Sequence, residues 1–175
     1  MKKDRKGEFC VWAHLDKKSL LAVEELKIRA NEFLTGPYFG AHLTLVGQIQ
    51  SINKRTEEAL LEISKNFTPL VLATEGIHMK NKFFQALFIK IENGKQLNSL
   101  RNQILKDLNL ESKEFFPHVS LYYGLESENI KNSAKKQIPP CPKELIINRI
   151  SLVDTTQNIE FWNEIETYPL DIRAE

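Results

Sequence analysis

Two short segments carry the residues best suited to chemistry: His42-Leu43-Thr44 within GAHLTLVG and His118-Val119-Ser120 within FPHVSLYYG. Each sets a histidine, an apolar spacer and a small hydroxyl residue inside an apolar run. Strand side chains alternate between faces, so His42 and Thr44 should share one face, as should His118 and Ser120. Two imidazoles with two hydroxyls suit the opening of a cyclic phosphodiester. One imidazole takes a proton from the attacking water while the other protonates the departing oxygen on the far side of phosphorus. Unperturbed imidazoles titrate near 6.5, which lets one be neutral and the other charged near neutral pH. The hydroxyls of Thr44 and Ser120 can donate to the non-bridging oxygens, where negative charge concentrates.

The elements around these segments repeat. A strand is expected over 9–13, followed by a helix to about residue 34 on the spacing of Leu20, Val23, Leu26, Ala30 and Phe33. Thr35-Gly36-Pro37 should stop that helix, with Gly36 free to take the left-handed terminal turn. The first histidine strand comes next. Downstream, an apolar strand over 83–91, a turn at Asn93-Gly94 and a helical face of Leu97, Leu100, Ile104 and Leu108 precede the His118 strand. Between the two units lie an expected helix over 56–66 and a strand over 70–77. After them come a polar helix over 127–136, a rigid turn at 138–142, and strands over 145–153 and 159–167. The order strand, helix, histidine strand thus occurs twice. One domain over 1–175 with two related halves is expected, its sheets largely antiparallel and its helices outside, an α+β arrangement.

Composition narrows the function further. The chain has 175 residues with 24 Lys and Arg against 23 Asp and Glu. So even a balance offers no strong field to hold a long polyanion and fits a small substrate better. Cys10 and Cys141 are too isolated for a disulfide framework or a zinc site. No Asp, Glu or Cys lies beside either motif histidine in sequence, so no metal and no cofactor is expected. His14 and His78 stand outside the pattern and read as surface or turn residues. No phosphate loop, dinucleotide fingerprint or nucleophile elbow occurs. No apolar run is long enough for a membrane span, and the charged start leads into no signal-like core, so a cytoplasmic protein without membrane attachment is expected. Aromatic residues gather near the motifs in sequence, and one or two could stack a base. Simple alternation puts Tyr122 on the face of His118 and Ser120, and Tyr123 on the other unless a bulge intervenes.

The two motifs, together with FCVWAHLD, FLTGPYFGAHLTLVG, FFQALFIKI, FFPHVSLYYG and FWNEIETYPL in that order, resemble the 2H phosphoesterase superfamily. The likeness is greatest to its plant and yeast type of cyclic phosphodiesterase. That resemblance implies a bilobal fold, each lobe with an antiparallel sheet and outer helices, and a metal-free cleft between them. It implies hydrolysis of nucleoside 2′,3′-cyclic phosphates to 2′-phosphates and of ADP-ribose 1″,2″-cyclic phosphate to ADP-ribose 1″-phosphate, a product left after transfer-RNA splicing. It places His42 and His118 as catalytic residues, Thr44 and Ser120 on the phosphate, and Trp12, Phe84 and Tyr123 along the cleft. The choice of Tyr123 conflicts with the alternation that favours Tyr122. Many relatives have proline before the first histidine, where this chain has Ala41; the second histidine does follow Pro117.

The sequence also admits two other readings. One is processing of RNA ends, as in bacterial 2′–5′ RNA ligase-like proteins or 2′,5′-oligoadenylate phosphodiesterases, which needs a groove for several nucleotides. The other is a nucleotide-binding module without catalysis. The expected partner is a small cyclic phosphate nucleotide, with RNA ends under the second reading, and the expected state is a monomer.

Overall fold

The computed structural model describes residues 4–171. The first three residues of the charged leader lie outside that range, and most of the remainder is already strand. The chain runs β1 (Arg5–Leu15), α1 (Lys17–Asn31), β2 (Leu43–Ile52), α2 (Lys54–Asn66), β3 (Leu70–Met79), β4 (Leu87–Ile91), α3 (Lys95–Asp107), β5 (His118–Tyr122), α4 (Glu128–Gln137), β6 (Glu144–Asp154) and β7 (Asn163–Pro169). Short 3-10 turns at Phe83–Gln85 and Ile159–Phe161 precede β4 and β7.

The helices begin where side chains satisfy the orphan amides of their first turns. Asp16 accepts from the Ser19 amide to start α1, and Ser127 accepts from the Ile130 amide to start α4. Asn53 and Thr56 exchange hydrogen bonds in a capping box at α2. Val23, Leu26 and Ala30 of α1 are buried, as are Leu97, Leu100 and Ile104 of α3, which is the expected helical spacing. α1 stops at Asn31, so Phe33 leaves the core face and is 48% exposed.

All strand pairings are antiparallel, and they join into a ring: β1–β2–β5–β4–β3–β6 and back to β1, with β7 paired along the same edge of β6 as β3, opposite β1. Within it the twofold repeat is visible as β1–α1–β2 and β4–α3–β5. Extended by β6 beside β1 and by β3 beside β4, the two units are joined at two seams of unequal length. β3 and β6 share four residue pairs, whereas the histidine strands β2 and β5 meet through the single pair Leu43–Val119. Buried side chains from both units form one continuous core, to which Leu43 and Val119 belong with no exposed surface.

Gly36 has a different role from the one its sequence context suggests. Its backbone is not left-handed; a Cβ there would collide with the Tyr123 carbonyl oxygen and lie 2.7 Å from the Tyr122 ring. Glycine is needed because the segment after α1 passes directly against the end of β5. Gly36→Ala should therefore cost about 1–3 kcal/mol through overpacking. Gly40→Ala, whose Cβ meets nothing within 4 Å, should stay within about 0.5 kcal/mol of the parent. Thermal melts followed by circular dichroism check both; equal loss in the two variants would contradict the close approach at Gly36.

Candidate functional site

The Leu43–Val119 pair positions the four motif residues. With those two spacers facing each other across antiparallel strands and buried, the flanking residues fall opposite one another on the other face: His42 across from Ser120, and Thr44 across from His118. That face opens into a cleft of about 1320 Å³ lined by His42, Thr44, His118 and Ser120 and by the rings of Trp12, Phe84 and Tyr123. The seven residues singled out from sequence are thus brought together.

The two histidines are anchored alike. Nδ1 of His42 lies 2.7 Å from the Gly40 carbonyl, and Nδ1 of His118 lies 2.8 Å from the Phe116 carbonyl, in each case two residues earlier in the chain. A carbonyl only accepts, so each Nδ1 carries a hydrogen and, in the neutral ring, each Nε2 keeps its lone pair. The ring supports also correspond across the repeat. Trp12, paired with Thr44 in the β1–β2 ladder, lies flat on His42, with centroids 3.6 Å apart and planes at 8°. Phe88, paired with Ser120 in the β4–β5 ladder, meets His118 edge to face at 5.3 Å and 69°.

Burial governs the protonation of both rings. It pushes His42 down to about 3, against the pull of the Gly40 carbonyl, and nearby His14, His118 and Lys27 add to the depression. Burial also lowers His118, opposed by the carbonyls of Phe116 and Phe84 and reinforced by Lys80. The ligand-free site therefore holds both imidazoles neutral near pH 7, and not one neutral and one charged as unperturbed values suggest. Each lysine is held beside its histidine. Lys27 is buried, donates to Glu24 (3.1 Å) and to the Phe39 carbonyl, and lies over the Phe39 ring. Lys80 sits 3.4 Å from the centroid of Phe116.

The hydroxyls differ. Ser120 is buried and donates to the Phe84 carbonyl at 3.0 Å, so it must rotate before it can donate to a ligand. Thr44 is half-exposed in the cleft.

The tyrosine alternatives are separated by a register shift. Phe88 pairs with Ser120 but Leu87 with Tyr122, so one step on β4 matches two on β5 and Leu121 is the extra residue. Alternation reverses there. Tyr123 reaches the cleft wall, and Tyr122 turns inward, 2% exposed, with its hydroxyl donating to the Thr35 carbonyl at 3.3 Å. Burial raises both phenols, Tyr122 to about 12.

Three neighbours were not assigned to the site from sequence. Trp162, after the turn that leads into β7, stands 5.6 Å from Trp12, 6.0 Å from Phe84, 6.3 Å from Tyr123 and 6.4 Å from His42 between ring centroids. Its rarity was the available signal, since the chain has two tryptophans. Phe39 lies flat on Tyr123 at 3.7 Å. His14 is a correction: it is buried in β1, with Nε2 2.6 Å from the Ser151 hydroxyl and 3.7 Å from a Glu164 carboxylate oxygen. β1 extends past the expected end at Ala13 and pairs with β6 on its other edge, which covers His14. His78 is exposed as expected, on β3. Among the described residues, no group of three His, Cys, Asp or Glu side chains is placed to hold a metal ion. Among them, too, no helix is long and apolar enough to cross a membrane.

Comparison with known proteins identifies the fold. The fold is that of E. coli LigT, whose phosphate complex superimposes with a TM-score of 0.62 at 13% identity over 94% of this chain and 98% of that one. The LigT complex with 3′-AMP gives 0.64 at 12% identity over 95% and 99%. The Thermus thermophilus protein TT0787 gives 0.65 at 15% identity over 93% and 97%. In sequence, 90 residues are 34% identical to the ribosomal RNA small subunit methyltransferase H of Malacoplasma penetrans; that match takes in 51% of this chain and spans about 28% of the relative's length. Residues 16–158 match the 2′-5′ RNA ligase superfamily. Both histidine motifs lie inside that segment, and the chain belongs to this superfamily of 2H phosphoesterases.

Proposed function

We propose that this protein hydrolyses nucleoside 2′,3′-cyclic phosphates to 2′-phosphates, and ADP-ribose 1″,2″-cyclic phosphate to ADP-ribose 1″-phosphate, with His42 and His118 as its acid–base pair. The observation that carries this reading is the Leu43–Val119 pair, which sets two imidazoles and two hydroxyls on one face of adjoining strands. The water oxygen bonds to phosphorus as the bond from phosphorus to the 3′ oxygen breaks. One imidazole Nε2 accepts the water's proton, and the other, protonated, delivers a proton to the leaving oxygen. Thr44 donates to a non-bridging oxygen, and Ser120 does so after releasing the Phe84 carbonyl. The proton of the acid comes with the substrate: an anionic phosphate between the rings favours the imidazolium that burial alone disfavours. Lys27 and Lys80 add positive potential behind the two rings.

A second reading, action on RNA ends, is favoured by the size of the cleft. Its volume of about 1320 Å³, with Gln48, Asn109 and Lys113 in its lining besides the histidines, exceeds what a single nucleotide fills. A strong preference for an oligonucleotide with a 2′,3′-cyclic end over the cyclic mononucleotide would select it.

Turnover of 2′,3′-cyclic AMP in chelator, followed by phosphorus NMR, tests the main reading. Adenosine 2′-phosphate is the expected product, and His42→Ala or His118→Ala should each lower kcat/KM by about 10²–10⁴. Activity persisting in the double variant would sink the assignment. In the ligand-free protein, imidazole NMR should show both rings as neutral Nδ1–H tautomers at pH 7, His42 taking its proton only near pH 3. Because the unfolded chain protonates that ring near 6.5, its contribution to stability is complete above pH 6.5 and declines as pH falls toward 3. Denaturant titrations of His42→Asn should show a shallower decline over that window.

A further inference from the structure

The loops that supply the two Nδ1 anchors are themselves held in different ways. In the second unit the backbone suffices: Pro117 has a locked φ and no amide to satisfy, and its carbonyl accepts from the Ile91 amide at 3.1 Å. In the first unit Ala41 takes the corresponding place. It is 4% exposed and brings an amide that needs an acceptor. Among the described residues, no backbone group of 35–41 is bonded to another backbone group. That segment is held by side chains instead.

Two of them come from α1. Glu24 Oε1 accepts from the Ala41 amide at 3.3 Å and from Lys27 Nζ at 3.1 Å, and Lys27 also donates to the Phe39 carbonyl. Standing three residues apart on the helix, the pair reaches the loop from one face. The Ala41 amide and the Gly40 carbonyl belong to a single peptide group, planar and trans, whose N–H and C=O point in opposite directions. Whatever holds that N–H therefore aims that C=O. The carbonyl so aimed is the one that fixes Nδ1 of His42 at 2.7 Å. Gly40 offers no side chain to resist rotation of the plane, and a Cβ there would meet nothing within 4 Å.

We propose that Glu24, backed by Lys27, is the positioning residue of His42: by accepting from the Ala41 amide it aims the Gly40 carbonyl, the part that Pro117 plays for His118. Glu24 lies outside the cleft lining and acts only through the loop. Its carboxylate is 28% exposed, and Lys27, 3% exposed and 4.4 Å from the centroid of Phe39, keeps it turned toward the loop. The effect on turnover rests on the reading of His42 as an acid–base group; the aim of the ring does not.

Substitutions at Glu24 separate reach from charge. Glu24→Gln keeps the length and an acceptor oxygen, Glu24→Asp keeps the charge but is one methylene short, and Glu24→Ala keeps neither. In the ligand-free parent, hydrogen exchange should find the Ala41 amide protected, and imidazole NMR should find His42 held as the Nδ1–H tautomer. Glu24→Gln should preserve both signatures. Glu24→Asp and Glu24→Ala should expose the amide and turn His42 into a mixture of tautomers, with His118 unchanged as the internal reference. In turnover of 2′,3′-cyclic AMP those two variants should lower kcat by about tenfold to a hundredfold, with KM within about twofold and Glu24→Gln near the parent. A freely exchanging Ala41 amide in the parent would overturn the proposal, as would an unchanged His42 in Glu24→Asp or equal disturbance of both histidines there; Glu24→Asp decides even if Glu24→Ala fails to fold. Selective loss of the His42 signature in a protein that opens no cyclic phosphate would uphold the positioning role and remove the catalytic reading instead.

Discussion

The site depends on one pair of backbones. Leu43 and Val119 are the only residues through which β2 and β5 pair among the described residues, and both are wholly buried. Because the side-chain period of a strand is two, burying the spacers turns their neighbours the other way, and a slip of one residue would put the imidazoles in the core. The apolar residue at the centre of each motif is therefore as necessary to the site as the groups beside it. The approach to each histidine continues the same logic. The loop ending at Ala41 and the loop ending at Pro117 supply the carbonyls of Gly40 and Phe116 that fix the ring tautomers.

Burial makes the imidazoles weak bases in the free protein and makes any anion that enters a strong influence on them. Under the proposed function, proton uptake and phosphate binding are coupled. Lys27 and Lys80 lower the proton affinity of the two rings, and the same positive charges favour an anion between them. This local field coexists with a chain whose formal net charge is only +1.

The repeat and the four motif residues were legible because each depends on local pattern: a two-residue alternation and a helical period of buried apolar positions. The rest depended on contacts distant in sequence. Tyr123 faces the cleft because of a register shift between β4 and β5, which no feature of FPHVSLYYG by itself reveals. The segments beginning at Phe83 and Ile159 read as continuous apolar strands, yet each opens with a 3-10 turn that sets an aromatic ring at the cleft. Gly36 looked like a helix stop, and its need for glycine comes instead from the carbonyl of Tyr123, far along the chain. His14 looked peripheral until the pairing of β1 with β6 enclosed it.

The ring of strands that joins β1, β2, β5, β4, β3 and β6 has a mechanical consequence. A pair of lobes linked at one edge can swing apart about a hinge, but lobes linked at two seams resist that motion, because opening the cleft would tear backbone hydrogen bonds at one seam or the other. The floor of the cleft is accordingly stiff, and the turn at 83–85 shares that stiffness, because the Gly124 amide donates to the Phe83 carbonyl and the Lys80 amide to the Gln85 carbonyl. Such a catalyst would show little change in overall dimensions between its empty and occupied forms.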